Sequence, residues 1–288
     1  MDVSELTQLL RHDPAIQSAT ESNGYITVAL TREALAQVAI DVAQAGSRCV
    51  TSDLLRGTVV QPAPRADLTT SSNWTQARAA VAAELIVGLA LAAGAEVLPD
   101  AVPAPAGPLA PAAAGASKQV AAAVAFAGED AVRFWLARGG PEPDLKAMAR
   151  HVLDNPAYAV RYAHAHAATA LRQAADLGLP QLDVGRFQPR LLAHPSERVL
   201  LDAMSWLPER VAGAARRRQP HVVAAYLEDL AGRYFDWQEA CPVMRPGSVL
   251  SRPLGGELTQ ARLQLASAAR TALETGLQLL GITAPGRM

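Results

Sequence analysis

Read for its hydrophobic and polar positions, the chain is helical in period over most of its length, with a short region near the start that alternates instead. Residues 4–11 are briefly amphipathic. Gly24 to Leu30 reads as a strand, with Ile26 and Val28 as its β-branched positions, and Thr31 stands where a helix to about Ala45 needs an N-cap, with Gly46 closing it. Gly57 to Gln61 is a second short strand. The polar stretch 62–73 and an Ala-rich helix from Trp74 to about Ala93 follow, and Gly94 to Val97 turns back into strand. Strand, loop, helix and strand is the order of the first crossover in a nucleotide-binding α/β unit. Pro99 to Ser117 holds five prolines among Ala, Gly and Leu and predicts a low-complexity linker. The roughly 30 residues from Pro99 to Ala127 are too few to complete a dinucleotide-sized α/β domain.

Beyond the linker the spacing predicts helices only. One starts near Glu129 and breaks at Gly139 to Pro143, and the next is capped by Asp144 and runs to about Leu153. Asn155-Pro156 then opens the central helix, since Pro at a first helical position loses only an N–H that has no partner there. Along it Val160, Ala163, Ala167, Ala170, Leu171 and Ala174 recur every three or four residues as a core stripe, with Arg161, His164 and Arg172 off that stripe. Gly178-Leu179-Pro180 ends it, and a loop with Arg186 and Arg190 follows. Further helices are expected from Pro195 (cap Ser196), from Pro208 to the Arg216-Arg217-Arg218 triplet, over 220–240, and over 257–280. The chain therefore reads as mainly α, divided into a small α/β part (1–98), a linker (99–117) and a helical domain (118–288).

Composition narrows the function classes. At 50% hydrophobic the chain can bury a sizeable core. Its longest apolar runs, such as Val81 to Ala93, are cut by Glu84 and too short for a bilayer, and no charged-then-apolar segment opens it, so the expectation is a cytoplasmic protein without membrane contact. Cys49 and Cys241 lie far apart and predict reduced thiols. The net charge of −1 is unevenly spread: from Arg150 onward there are 16 arginines against 12 acids, which makes the C-terminal half the better candidate for a polyanion. His164 and His166 stand two apart on a helix, so their imidazoles diverge by about 200° and cannot share a metal. With no glycine-rich phosphate loop and no serine elbow, the expectation is no metal, no cofactor and no new enzymatic chemistry.

Asn155, Pro156, Tyr158, Val160, Tyr162, Ala163, His164 and Ala165 resemble the Asn-Pro-x-Tyr-x-Val-x-Tyr-Ala-His-Ala segment of the anticodon-binding helical domain in arginyl-tRNA synthetases. The likeness departs at Arg161, where that family has Gln, and at His166, where it has Arg. Asp130-Ala131-Val132-Arg133 is similar to the Asp-Ala-Leu-Arg tetrapeptide that names the domain. Tyr226, Leu227, Asp229, Leu230, Ala231, Cys241, Pro242 and Val243 match a later segment, with Trp237 and Gln238 at its usual Phe-Tyr pair. The ending from Leu280 through Gly281, Ala284, Pro285 and Arg287 to Met288 is the most specific match. The resemblance spans Gly128 to Met288 strongly and Gly24 to Val97 faintly.

The same resemblance puts the catalytic His-x-Gly-His signature on Asn73, Trp74, Thr75 and Gln76, none of which keeps its letter. Of the second signature, Lys-Met-Ser-Lys-Ser, only a Ser117-Lys118 echo remains. It implies a synthetase-like protein without ligase activity: a C-terminal anticodon-binding-type helix bundle behind a small degenerate α/β part. The partner implied is a tRNA, an arginine tRNA first. Tyr162 and Met288 lead as contacts, followed by Tyr158, Asn155 and His164, because tyrosines can stack unpaired bases while Asn or a terminal carboxylate can bond a base edge. Arg161, Arg172 and Arg262 would meet phosphate. The alternative is a protein-interaction module of the same fold that partners a genuine synthetase or another translation factor.

Overall fold

A computed structural model describes residues 2–71, 73–98, 117–139, 143–179, 187–243 and 256–288. The fold is mainly helical, with a small N-terminal α/β region and a C-terminal helix bundle. Helix α1 (Val3–Arg11) is held by a capping box between Asp2 and Glu5 and packs on a hairpin of β1 (Ile16–Ser22) and β2 (Tyr25–Leu30). Strand β1 was not foreseen. Gln17, Ser18, Thr20, Glu21 and Ser22 give it no apolar alternation, and it exists through antiparallel pairing to β2 across the Asn23-Gly24 turn.

Helix α2 (Arg32–Ala45) begins and ends as the sequence predicts: the Thr31 hydroxyl accepts the Ala34 N–H, and Gly46 stops it at φ +57°. Strands β3 (Val59–Val60) and β4 (Glu96–Val97) pair in parallel, joined by α3 (Trp74–Ala92), so the expected crossover is present as a two-stranded remnant. By length and composition α3 could cross a membrane. Here its Ala77, Val81, Leu85 and Leu89 row lies in the core and Glu84, midway along it, binds a buried arginine.

The bundle comprises α4 (Ser117–Ala127), α5 (Glu129–Arg138), α6 (Leu145–Ala149), α7 (Pro156–Asp176), α8 (Pro195–Ser205), α9 (Leu207–Arg217), α10 (His221–Ala240) and α11 (Gly256–Leu279). Helix α11 lies against α7 on one side and α2 on another, and α3 packs on α9 and α5, so one continuous core runs from Leu35 to Ile282. The expected linker falls outside the described residues up to position 116, as does Arg186.

Two boundaries differ from the sequence reading. Helix α6 stops at Ala149 rather than near Leu153, because the Asn155 amide donates to the Met148 and Arg150 carbonyls and takes over the helix end. Helix α8 is capped by His194 rather than Ser196: the His194 imidazole accepts the Ser196 N–H at 3.2 Å while Glu197 accepts the His194 N–H at 2.8 Å.

Arg133 joins the two regions. Its guanidinium is wholly buried, 2.5 Å from Glu84 on α3, and donates to the Ala66 carbonyl at 3.2 Å. Glu84 in turn accepts the Ala66 N–H at 2.8 Å. Gly281, at φ +68°, lets the chain pass against this cation, since a Cβ there would meet the guanidinium at 2.7 Å.

Candidate functional site

Helix α7 is the element on which the candidate residues converge. Pro156 occupies its first turn, and Tyr158 and Tyr162, four apart, lie one above the other on one face. Their rings stack at 5.5 Å between centroids and 10° between planes. His151, from the turn before the helix, stacks on Tyr158 at 5.5 Å and 13°, and Phe235 from α10 lies beside Tyr162 at 5.9 Å and 24°. His151, Tyr158, Tyr162 and Phe235 thus form one row of near-parallel rings along the α7–α10 seam. His151 is exposed and the other three are half-buried, so the row is seated in the fold yet reachable from solvent. Such a row is a platform on which the flat faces of unpaired bases can stack.

His166 continues the row inward. Its Nδ1 lies 2.9 Å from the Tyr234 hydroxyl, and burial pushes its pKa below the ordinary value, which favours the neutral ring.

On another face, α7 holds the C-terminal segment. The His164 ring is 3% exposed, and its Nδ1 lies 3.0 Å from the Pro285 carbonyl, with burial lowering its pKa. Arg161 donates to the Thr283 carbonyl and hydroxyl and pairs with Asp130 at 3.1 Å. Asp130 also accepts the Thr283 N–H at 3.0 Å and its hydroxyl. Arg172 donates to the Gly286 carbonyl at 2.7 Å. These contacts lead the chain along α7 to Met288, which is 51% exposed.

The structure therefore brings Tyr158, Tyr162 and Met288 to the surface on or beside α7 and takes the other named residues inward. Asn155 is 8% exposed and bonded to backbone carbonyls. His164 is not on a free face, as the helical period implied: α11, α10 and α5 all pack against α7, so more than one stripe of it is buried. Arg161 and Arg172 bind the tail. Arg262 pairs at 2.8 Å with Glu197, itself 1% exposed, and donates to the Pro242 carbonyl. Trp237, at the matched aromatic pair, is fully buried and unavailable for stacking. Sequence reasoning missed His151 and Phe235. His151 could have been found from its place seven residues before Tyr158, whereas Phe235 joins the row only through the packing of α10 on α7.

Residues 160–288 match the family model described as the DALR anticodon binding domain. The chain is 42% identical over 165 residues to the arginine–tRNA ligase of Frankia alni, covering 56% of this chain and 29% of the ligase. Against the arginine–tRNA ligase of Clavibacter sepedonicus it is 39% identical over 169 residues, covering 56% of this chain and 28% of that one. The matched region is thus less than a third of the length of these curated relatives. Among solved structures, Thermus thermophilus arginyl-tRNA synthetase aligns at a TM-score of 0.45 and 22% identity, over 99% of this chain and 58% of that one. The chain accordingly carries a DALR anticodon-binding domain and is similar to arginyl-tRNA synthetases over part of its length.

Proposed function

We propose that this chain is a non-catalytic, cytoplasmic relative of arginyl-tRNA synthetase that binds the anticodon arm of a tRNA, an arginine tRNA first. The observation that carries the reading is the solvent-reachable ring row of His151, Tyr158, Tyr162 and Phe235, most of it within the matched domain. Unpaired loop bases would stack along the row, each worth about 1–3 kcal/mol. Arg161, Arg172 and His164 act one step removed, by fixing the tail that presents Met288. Asn155 supports the turn that carries His151, and Arg262 secures α8 to α11 rather than meeting phosphate.

The absence of ligase activity rests on the first turn of α3. Where the resemblance puts the adenylate-forming signature, the Asn73 side chain caps the helix through the Gln76 N–H at 2.9 Å, and Trp74 packs edge-on against Trp135 of α5 at 5.7 Å. An indole committed to the bundle leaves no imidazole for developing phosphate charge.

A second reading, a docking module for a genuine synthetase or other translation protein, is favoured by one observation: the three arginines expected to neutralise phosphate are all engaged within the fold. The two readings separate on binding of purified protein to arginine tRNA and a non-cognate tRNA at two salt concentrations. RNA binding that weakens steeply with salt, prefers the arginine tRNA and is lost in Tyr162→Ala supports the first. Absence of binding near physiological salt overturns it.

A further inference from the structure

Beside the start of the ring row lies a cleft of about 340 Å³ between α5, α6 and the first turn of α7. This is near the lower end of ligand pocket sizes, roughly 300–1,000 Å³, and suits one small ring system rather than an extended ligand. Phe134, Trp135 and Met148 supply flat or apolar lining, and Arg138, Arg150 and Asp154 stand among the polar groups. Two of the lining charges are already committed. Arg138 pairs with Glu228 at 2.8 Å, and the Asp144 carboxylate accepts the Lys146 and Ala147 N–H groups at the start of α6. Arg150 and Asp154, both exposed and opposite in sign, are left to meet a ligand, which offers a donor and an acceptor without a net field. That chemistry selects a neutral planar heterocycle with hydrogen-bonding edges over an anion or an aliphatic group.

We infer that this cleft takes one extruded nucleobase of the same RNA that stacks on the ring row, held against the Trp135 side and read by Arg150 and Asp154. The inference rests on the proposed RNA binding. Continuity of the chain ties the two sites together: Arg150, which lines the cleft, precedes His151, the first ring of the row, and Asn155 and Pro156 line the cleft at the start of the helix that bears Tyr158. A strand stacked on the tyrosines therefore passes the cleft mouth, where one splayed base could leave the stack.

Ala147 lines the cleft and is exposed, so Ala147→Trp would fill it without disturbing the core. The full-length protein, its Ala147→Trp variant and a space-neutral Ala147→Ser variant would be titrated with an arginine-tRNA anticodon-arm hairpin. Hairpins abasic at each loop position in turn and free nucleosides complete the set, with thermal melting to verify that each variant is folded. The expected result is about tenfold weaker hairpin binding by Ala147→Trp, the scale of one stacked base, and unchanged binding by Ala147→Ser. One abasic position should weaken the wild type by a similar factor and cause no further loss in Ala147→Trp, as sites acting through one contact require. Hairpin binding that survives Ala147→Trp, or an abasic penalty equal in both proteins, overturns the inference and leaves the ring row standing. Binding of a free nucleoside that Ala147→Trp abolishes while hairpin affinity is unchanged also overturns it. Failure of the wild type to bind any hairpin removes the proposed function and this inference together.

Discussion

Glu84→Leu tests the energetic link between α3 and the bundle. In the folded protein Arg133 is wholly buried, and Glu84, 17% exposed, is its nearest anion at 2.5 Å. The next carboxylate, on Glu129, is 3.7 Å away, about half exposed, and shared with Arg65. Removing Glu84 leaves a guanidinium in the core with the Ala66 carbonyl as its close acceptor, and breaking a buried pair from one side costs about 3–5 kcal/mol. The Ala66 N–H also loses its acceptor, at roughly 1–3 kcal/mol if water cannot replace it. A total near 4 kcal/mol or more is a large share of the roughly 5–15 kcal/mol that holds a domain folded. Arg133→Met should cost less, because the remaining carboxylate reaches water and keeps the Ala66 N–H. The double variant should lose less than the sum of the two single losses, since no unpaired charge is left inside. Urea denaturation of the four proteins at pH 7 measures each term. A loss below about 1 kcal/mol for Glu84→Leu, or strict additivity in the cycle, would refute the coupling.

Asp130→Ala deletes the acceptor of the Thr283 N–H and hydroxyl together with the partner of Arg161, at an expected cost of about 1–3 kcal/mol; amide exchange over 282–288 should accelerate, and unchanged protection there would show that the tail is held by other contacts. His164 and His166 are both kept below the ordinary histidine value of 6.5, chiefly by burial. The unfolded chain therefore takes up protons first as pH falls, so this contribution to stability is complete above about pH 6.5 and declines below it. Denaturation midpoints at pH 5 and pH 7 should show a decline that flattens in a His164→Asn, His166→Gln double variant, and an equal decline in that variant would assign the effect to other groups. Glu197→Ala strands Arg262, 13% exposed, beside the Pro242 carbonyl and also removes the reciprocal partner of the α8 cap; a loss of about 3–5 kcal/mol in chemical denaturation is expected, and a loss below 1 kcal/mol would mean that solvent reaches the site.

Local signals carried much of this architecture. Thr31 and Gly46 bound α2 because a side-chain cap and a left-handed glycine act within a few residues, and Asn155-Pro156 opens α7 for the same kind of reason. Strand β1 was illegible because its order comes from a partner strand rather than from its own pattern. His164 misled for a related reason: a stripe of alanines marks one packed face, yet a central helix has neighbours on several. The candidate site divides in the same way. Tyr158 and Tyr162 announce themselves by a four-residue spacing, whereas the roles of Arg161, Arg172 and Arg262 depend on carbonyls and carboxylates that arrive from distant segments. An arginine's charge is visible in sequence, but its availability is a tertiary property.

The central claim, that the ring row on α7 receives an anticodon arm, is tested most directly by hydroxyl-radical footprinting of arginine tRNA bound to the full-length protein, beside Tyr162→Ala. The account predicts protection confined to the anticodon stem and loop, strongest at the unpaired bases and absent with Tyr162→Ala. Protection centred on the acceptor end, or an anticodon footprint unchanged by Tyr162→Ala, would contradict it.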